Sequence, residues 1–171
     1  MARNKLETVE ILRKSEKDLL NEWVKSQLRL TQTHKAQLKE EELREQCREF
    51  LQLLIDVFQQ NASATPEEAA SSQIREFLAG ISKSRTAKGF SASETATFGF
   101  SLKRPLFGLV REQGNDPEAT LNELMSISEL LDSLGLWTTE VYQRAREDLI
   151  NRQQQDMLEL IMALSLSSPV F

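Results

Sequence analysis

Apolar positions recur with a helical period along most of this 171-residue chain. Residues 5–30 set Leu6, Val9, Leu12, Leu19, Leu20, Trp23 and Val24 on one broad stripe, with a polar gap at Ser15 and Glu16. After the polar "TQTHKAQLKEE", the stretch 40–60 repeats Leu43, Cys47, Phe50, Leu51, Leu54 and Phe58 three and four apart, the pattern of a strongly amphipathic helix. "NASATPEE" (61–68) reads as a loop that ends in Thr65 as N-cap, with Pro66 at the first helical position and Glu68 three residues after the cap. The next helix presents Ile74, Phe77, Leu78 and Ile81 and closes at Gly89.

"SASE" (91–94) has the spacing of a second capping box, opening a segment with Phe98, Leu102, Leu106, Leu109 and Val110. Pro105 inside that run is expected to kink it or to start a new segment. "QGNDPEA" interrupts the chain, and Asp116 with Pro117 is placed to open a last helix that continues to about Leu164. Gly135 alone weakens it, at a cost of about 1 kcal/mol. No strand alternation longer than a few residues occurs, so the expected fold is all-α. Phe50, Leu54, Phe77, Leu106 and Leu109 are its expected core.

The last helix carries the most unusual pattern. Leu130, Leu134, Trp137, Val141, Ala145 and Leu149 form a seam about five turns long, then "NRQQQD" (151–156) is wholly polar, then Met157, Leu158, Leu160, Ile161, Met162 and Leu164 are apolar again. Forty-eight helical residues approach 70 Å in length, whereas a body of this size is about 35–40 Å across. The helix must therefore leave the body, and an apolar seam of that length on a monomer is an association liability. A two-fold parallel pair through Leu130, Leu134, Trp137, Val141, Ala145 and Leu149 is the expected remedy.

Composition narrows the classes of function. Hydrophobic residues make up 40% and charged residues 27%, as in a folded single domain. A net charge of −5, a pI near 5.1 and the lack of a basic block speak against nucleic acid as a partner. The charged N-terminus has no secretion-signal core, and no apolar run approaches the roughly 18 residues of a membrane span. A single cysteine fits a reducing compartment, so a cytoplasmic protein is expected.

Signatures of chemistry are sparse. The chain has no CxxC, HExxH, GxSxG or glycine-rich phosphate loop, and one histidine cannot build a multi-histidine metal site. His34, in a polar connector, is expected to be a solvated surface residue, and Cys47 a small hydrophobe on a buried face. "KEEELREQ" and "RARED" alternate in sign as solvated helix faces do, and no carboxylate pair stands out. Phe90, Phe98, Phe100 and Phe107 read either as core packing or, for Phe98, Phe100 and Phe107, as the lining of an apolar ligand cavity. Trp137 is either a core anchor or a contact with a second copy.

"GFSASETATFGFSLKRPLFGLV" (89–110) and "LWTTEVYQRAREDLINRQQQDMLEL" (136–160) resemble the N-terminal domain of the RsbR/RsbRD co-antagonist family of the bacterial stressosome. "LLNEWVKSQL" (19–28) and "LREQCREFLQLL" (43–54) resemble its opening helices. The resemblance implies a globin-like helical bundle without haem or other cofactor, dimeric, with a long C-terminal exit helix. It further implies a C-terminal STAS domain that joins other stressosome STAS proteins and controls a serine/threonine kinase. Residues 1–150 would be the sensory body, and 151–171 a linker helix ending in "SSPVF", which looks like the start of that domain. On this reading the chain has no enzymatic activity. The competing readings are a haem- or small-molecule-binding sensor globin and a helical enzyme of another kind. Haem would need an axial ligand, and 85–112 offers no histidine.

Overall fold

A computed structural model describes residues 2–34, 36–60 and 72–168, with side chains from Glu7 onward. Its helices are α1 (Ala2–Lys14), α2 (Glu16–Leu30), α3 (Glu40–Gln60), α4 (Ser72–Ala87), α5 (Ala92–Phe100), α6 (Lys103–Gln113) and α7 (Pro117–Ser167), with a 3₁₀ turn at Gln32–His34. No strand occurs among the described residues. The fold is all-α, as the periodicity requires. The polar gap at Ser15 divides the first stripe into α1 and α2. The expected cap at Thr65–Glu68 lies outside the described residues.

The spine is α7, on which α4 and α5 make the most extensive packing; α2 and α3 close the opposite side of the core. At the centre, the Trp23 ring lies 5.6 Å from Phe50 and 5.1 Å from Phe98, and Phe50 meets Phe98 edge-on at 5.5 Å. All three are fully enclosed. Leu54 and Leu106 are also fully buried, whereas Phe77 and Leu109 are half-buried at the edge of the core.

Segment 94–112 is two helices, not one bent helix. Pro105 has no N–H for the Ser101 carbonyl, and its ring would collide with that carbonyl in a continuous helix. The chain breaks at Ser101–Leu102, which leaves Pro105 in the first turn of α6, where a missing N–H costs nothing. Helix α2 covers the polar groups exposed by the break. Gln27 Nε2 donates to the Phe98 carbonyl at 3.1 Å and to Ser101 Oγ at 2.5 Å, and Trp23 Nε1 donates to Ser101 Oγ at 2.9 Å.

The local caps follow the sequence signals. Ser91 accepts from the Glu94 N–H while the Glu94 carboxylate accepts from the Ser91 N–H, a complete capping box. Asp116 accepts from the N–H groups of Glu118 and Ala119, with Pro117 at the first helical position. Gly89 ends α4 at φ +83°, with Phe90 N–H donating to the Arg85 carbonyl and Gly89 N–H to that of Thr86, the two bonds of a Schellman motif.

Gly135 lets α7 run unbroken beneath α5. A Cβ there would lie 2.3 Å from Cε1 and Cζ of the Phe100 ring. Gly135→Ala is therefore expected to destabilise the fold by about 1–3 kcal/mol despite alanine's better helix propensity. Combining it with Phe100→Ala should recover part of that loss relative to Phe100→Ala alone. Urea unfolding of the four chains in this double-mutant cycle measures the coupling.

Candidate functional site

Where α7 leaves the body, the structure shows two apolar stripes, only one of which stands out in the sequence pattern. Leu130, Leu134 and Val141 are 2%, 1% and 7% exposed and belong to the protomer's own interior, together with Ile127, Leu131 and Tyr142. They have no free surface to give a second copy, which corrects the expected seam over its first half. Packing of α4 and α5 on this face is the physical reason. Trp137 is half-buried; its indole N–H donates to the Arg75 carbonyl at 3.2 Å, and the Arg75 and Arg144 guanidiniums lie 5.5 and 6.0 Å from the ring centre. Ala145 is half-buried and Leu149 exposed. Both line a cleft of about 310 Å³ with Lys83, Thr86, Ala87, Asp148 and Arg152.

The uncovered stripe lies roughly 150° further round α7, at 100° per residue. It holds Leu121, Met125, Leu136, Ile150, Met157, Ile161 and Leu164, all more than 40% exposed. From Met157 to Leu166 the helix is apolar on nearly every side, with Leu158, Leu160, Met162 and Leu166 also exposed. No described helix is long and apolar enough to cross a membrane.

Tyr142 is the last buried residue of α7. Its hydroxyl donates to the Phe90 carbonyl at 2.5 Å, tying the exit point to the α4–α5 turn. That turn is held from other sides as well. The His34 ring stacks on Phe90 with centroids 3.9 Å apart, and His34 Nε2 lies 3.2 Å from both carboxylate oxygens of Glu94. His34 is therefore half-buried and partnered, not the solvated surface residue its polar neighbours suggest. The signal for this lies in Phe90 and Glu94, 56 and 60 residues away, beyond any local pattern.

Beneath the turn lies a charge that no sequence motif announced. Arg85 is 1% exposed, and its guanidinium sits 5.0 Å from the Phe90 ring centre and 5.1 Å from that of Phe98. Its Nη1 donates to the Glu94 carbonyl at 3.4 Å. Burial pulls its pKa down to about 10, so it stays charged at neutral pH. Burial likewise pushes the Cys47 thiol up to about 12 against the pull of Arg85 and Arg44. That thiol is enclosed and protonated, the inert kind.

The expected ligand-cavity residues do not share a chamber. Phe98 is enclosed by Trp23, Phe50 and Arg85; Phe100 lies against Gly135 with Lys103 Nζ 5.7 Å from its ring centre; Phe107 is half-buried against the core. A groove of about 610 Å³ lies elsewhere, between α3 and α4, lined by Leu53, Phe77 and Ile81 among polar residues. No group of three or more metal-ligating side chains occurs among the described residues.

Compared with known families, residues 17–157 match the family described as the RsbT co-antagonist protein rsbRD N-terminal domain. No curated protein and no solved structure matches the chain.

Two outcomes follow from the network around the turn. Tyr142→Phe removes the hydroxyl donor and leaves the buried Phe90 carbonyl without it, so unfolding free energy should fall by about 1–2 kcal/mol. Amide exchange should rise first around 88–91. The Glu94 carboxyl is held below its ordinary 4.5 by hydrogen bonds from Ser91, first from the backbone and then the side chain, and by His34. A depressed carboxyl contributes stability that is present above its unfolded pKa and lost as pH falls through the folded one. Urea midpoints measured from neutrality into the acid range should fall less steeply below about pH 4.5 in Glu94→Gln than in the parent chain.

Proposed function

Because the chain belongs to the RsbT co-antagonist rsbRD N-terminal domain family, we propose that it is the signal-input and dimerisation domain of a stressosome protein. It acts through α7 rather than by catalysis. The observation that carries this reading is the exit helix itself. Some 25 residues of α7 follow Tyr142, about 38 Å of helix; from Arg146 to Ser168 every residue is exposed, and the outer apolar stripe lies open. A second copy laid in parallel along Leu136, Ile150, Met157, Ile161 and Leu164 covers that stripe and sets the two C-termini side by side. Heptad spacing from Leu136 through Ile150 and Met157 to Leu164 suits a two-helix pair. The polar stretch 151–156 then lies within the paired region, with Gln154 on the shared face.

On this reading, residues 1–150 are the sensory body and 151–171 lead towards a STAS domain, whose contacts with other STAS proteins and a serine/threonine kinase lie in the cytoplasm. Whatever binds the body shifts the exit geometry only by the difference in its affinity for two arrangements. The anchor is the Tyr142–Phe90 bond, since it is the last tie between α7 and the α4–α5 turn.

Substitutions on the two faces of α7 distinguish the stripes. Met157→Asp or Ile161→Asp should weaken the dimer at least tenfold in sedimentation equilibrium while leaving the urea midpoint of the body unchanged. Val141→Asp, on the core face, should instead unfold the domain, since it puts an unpaired charge in the interior. A parent chain that sediments as a monomer at every concentration would remove the basis of the proposal.

A further inference from the structure

Burying a guanidinium without a counter-charge is strongly unfavourable, so natural interiors pair it. Around Arg85 the nearby carboxylates are engaged elsewhere. Glu42 pairs with Lys88 Nζ at 2.5 Å, and Glu94 faces His34 and the Ser91 N–H. Among the described residues no carboxylate lies within ion-pair distance of Arg85, although the side chain is 99% enclosed. Its Nη1 reaches the Glu94 carbonyl, its face rests on Phe90 and Phe98, and two nitrogens, Nε and Nη2, have no partner among the described residues.

These two nitrogens are not an arbitrary pair. Nη1 stands on the Cδ side of the guanidinium plane, so Nε–H and Nη2–H share the opposite edge and point in parallel. That edge is the fork that grips two oxygens of a planar oxyanion.

We propose that Arg85 is the anchor of a buried binding site for a small planar oxyanion, a carboxylate of formate or acetate size or its isosteres nitrate and bicarbonate, held between α4 and the α4–α5 turn. The adjoining rings of Phe90 and Phe98 give it a dry setting in which charge-assisted hydrogen bonds are strong. A larger or more highly charged anion does not suit an enclosed site with one cation. The site is closed in the described conformation, so uptake requires the 88–91 turn to move. Tyr142 holds that turn through the Phe90 carbonyl, and occupancy is thereby linked to the anchoring of the exit helix. This last link rests on the signal-input reading; the anion site does not.

The test is a titration of the ¹⁵N-labelled full chain with sodium formate, ionic strength held constant with sodium chloride, followed at the Nε–H resonance of Arg85. That resonance is assigned through its proximity to the Phe90 and Phe98 ring protons, so no variant is needed to read it. A saturable shift is expected, with nitrate competing. Arg85→Lys, which keeps the charge without the fork, should bind formate about tenfold more weakly. Absence of any saturable shift up to roughly 0.1 M formate would overturn the site. So would a saturable formate effect of equal strength in a folded Arg85→Lys chain. Formate binding that leaves the exchange rates of the 88–91 amides unchanged would keep the site and remove only its link to the exit helix.

Discussion

Everything distinctive about this chain depends on how much of α7 the body covers. Helices α4 and α5 pack along one face of it until Tyr142, where a buried hydroxyl meets the Phe90 carbonyl; past that point Ala145 is half-buried beside the end of α4, and from Arg146 onward the helix is exposed. Below the bond, α7 is an ordinary core helix with its apolar residues enclosed. Above it, the same helix becomes an exposed rod with a different stripe facing outwards. One continuous hydrogen-bonded element thus connects the interior to an exposed apolar stripe, and Gly135, its weakest position, is braced by the Phe100 ring.

The Phe90 turn is the hub of this arrangement. The Schellman bonds fix its backbone, Tyr142 its carbonyl, and His34 and Arg85 its ring. The 3₁₀ turn, the end of α4 and the exit of α7 therefore converge on one residue, so a disturbance in any of them reaches the exit point through contacts that are already made. Arg85 adds a buried positive charge to the hub, with no carboxylate within ion-pair distance among the described residues.

The local features were legible because their determinants are local. The Ser91–Glu94 box, the Asp116–Pro117 start and the glycine stop at Gly89 each depend on residues within four positions of one another. The core residues Phe50, Leu54 and Leu106 were equally plain from period alone, as was Cys47 on its buried face. What the sequence left open was which side of α7 faces inwards. Periodicity singles out the Leu130–Leu149 stripe as a seam for a second copy, but the docking of α4 and α5 buries its first half, and the sparser Leu136–Leu164 stripe, which the pattern did not bring out, is the one left uncovered. His34 misled for a similar reason: its polar neighbours describe a loop, while its partners Phe90 and Glu94 arrive from the other half of the chain. Arg85 sits in "SKSRTAKG", a mostly polar string whose composition gives no hint that Ser82 and Arg85 are enclosed.

The central claim is that two copies lie parallel along the uncovered stripe. A spin label placed by Ser165→Cys, near the free end of α7, tests it directly, since Cys47 is enclosed and unreactive. Two parallel helices about 10 Å apart bring the labels within roughly 25 Å of each other, and dipolar spectroscopy should return that single short distance. No dipolar coupling, or a long distance such as an antiparallel pair would give, would contradict the account.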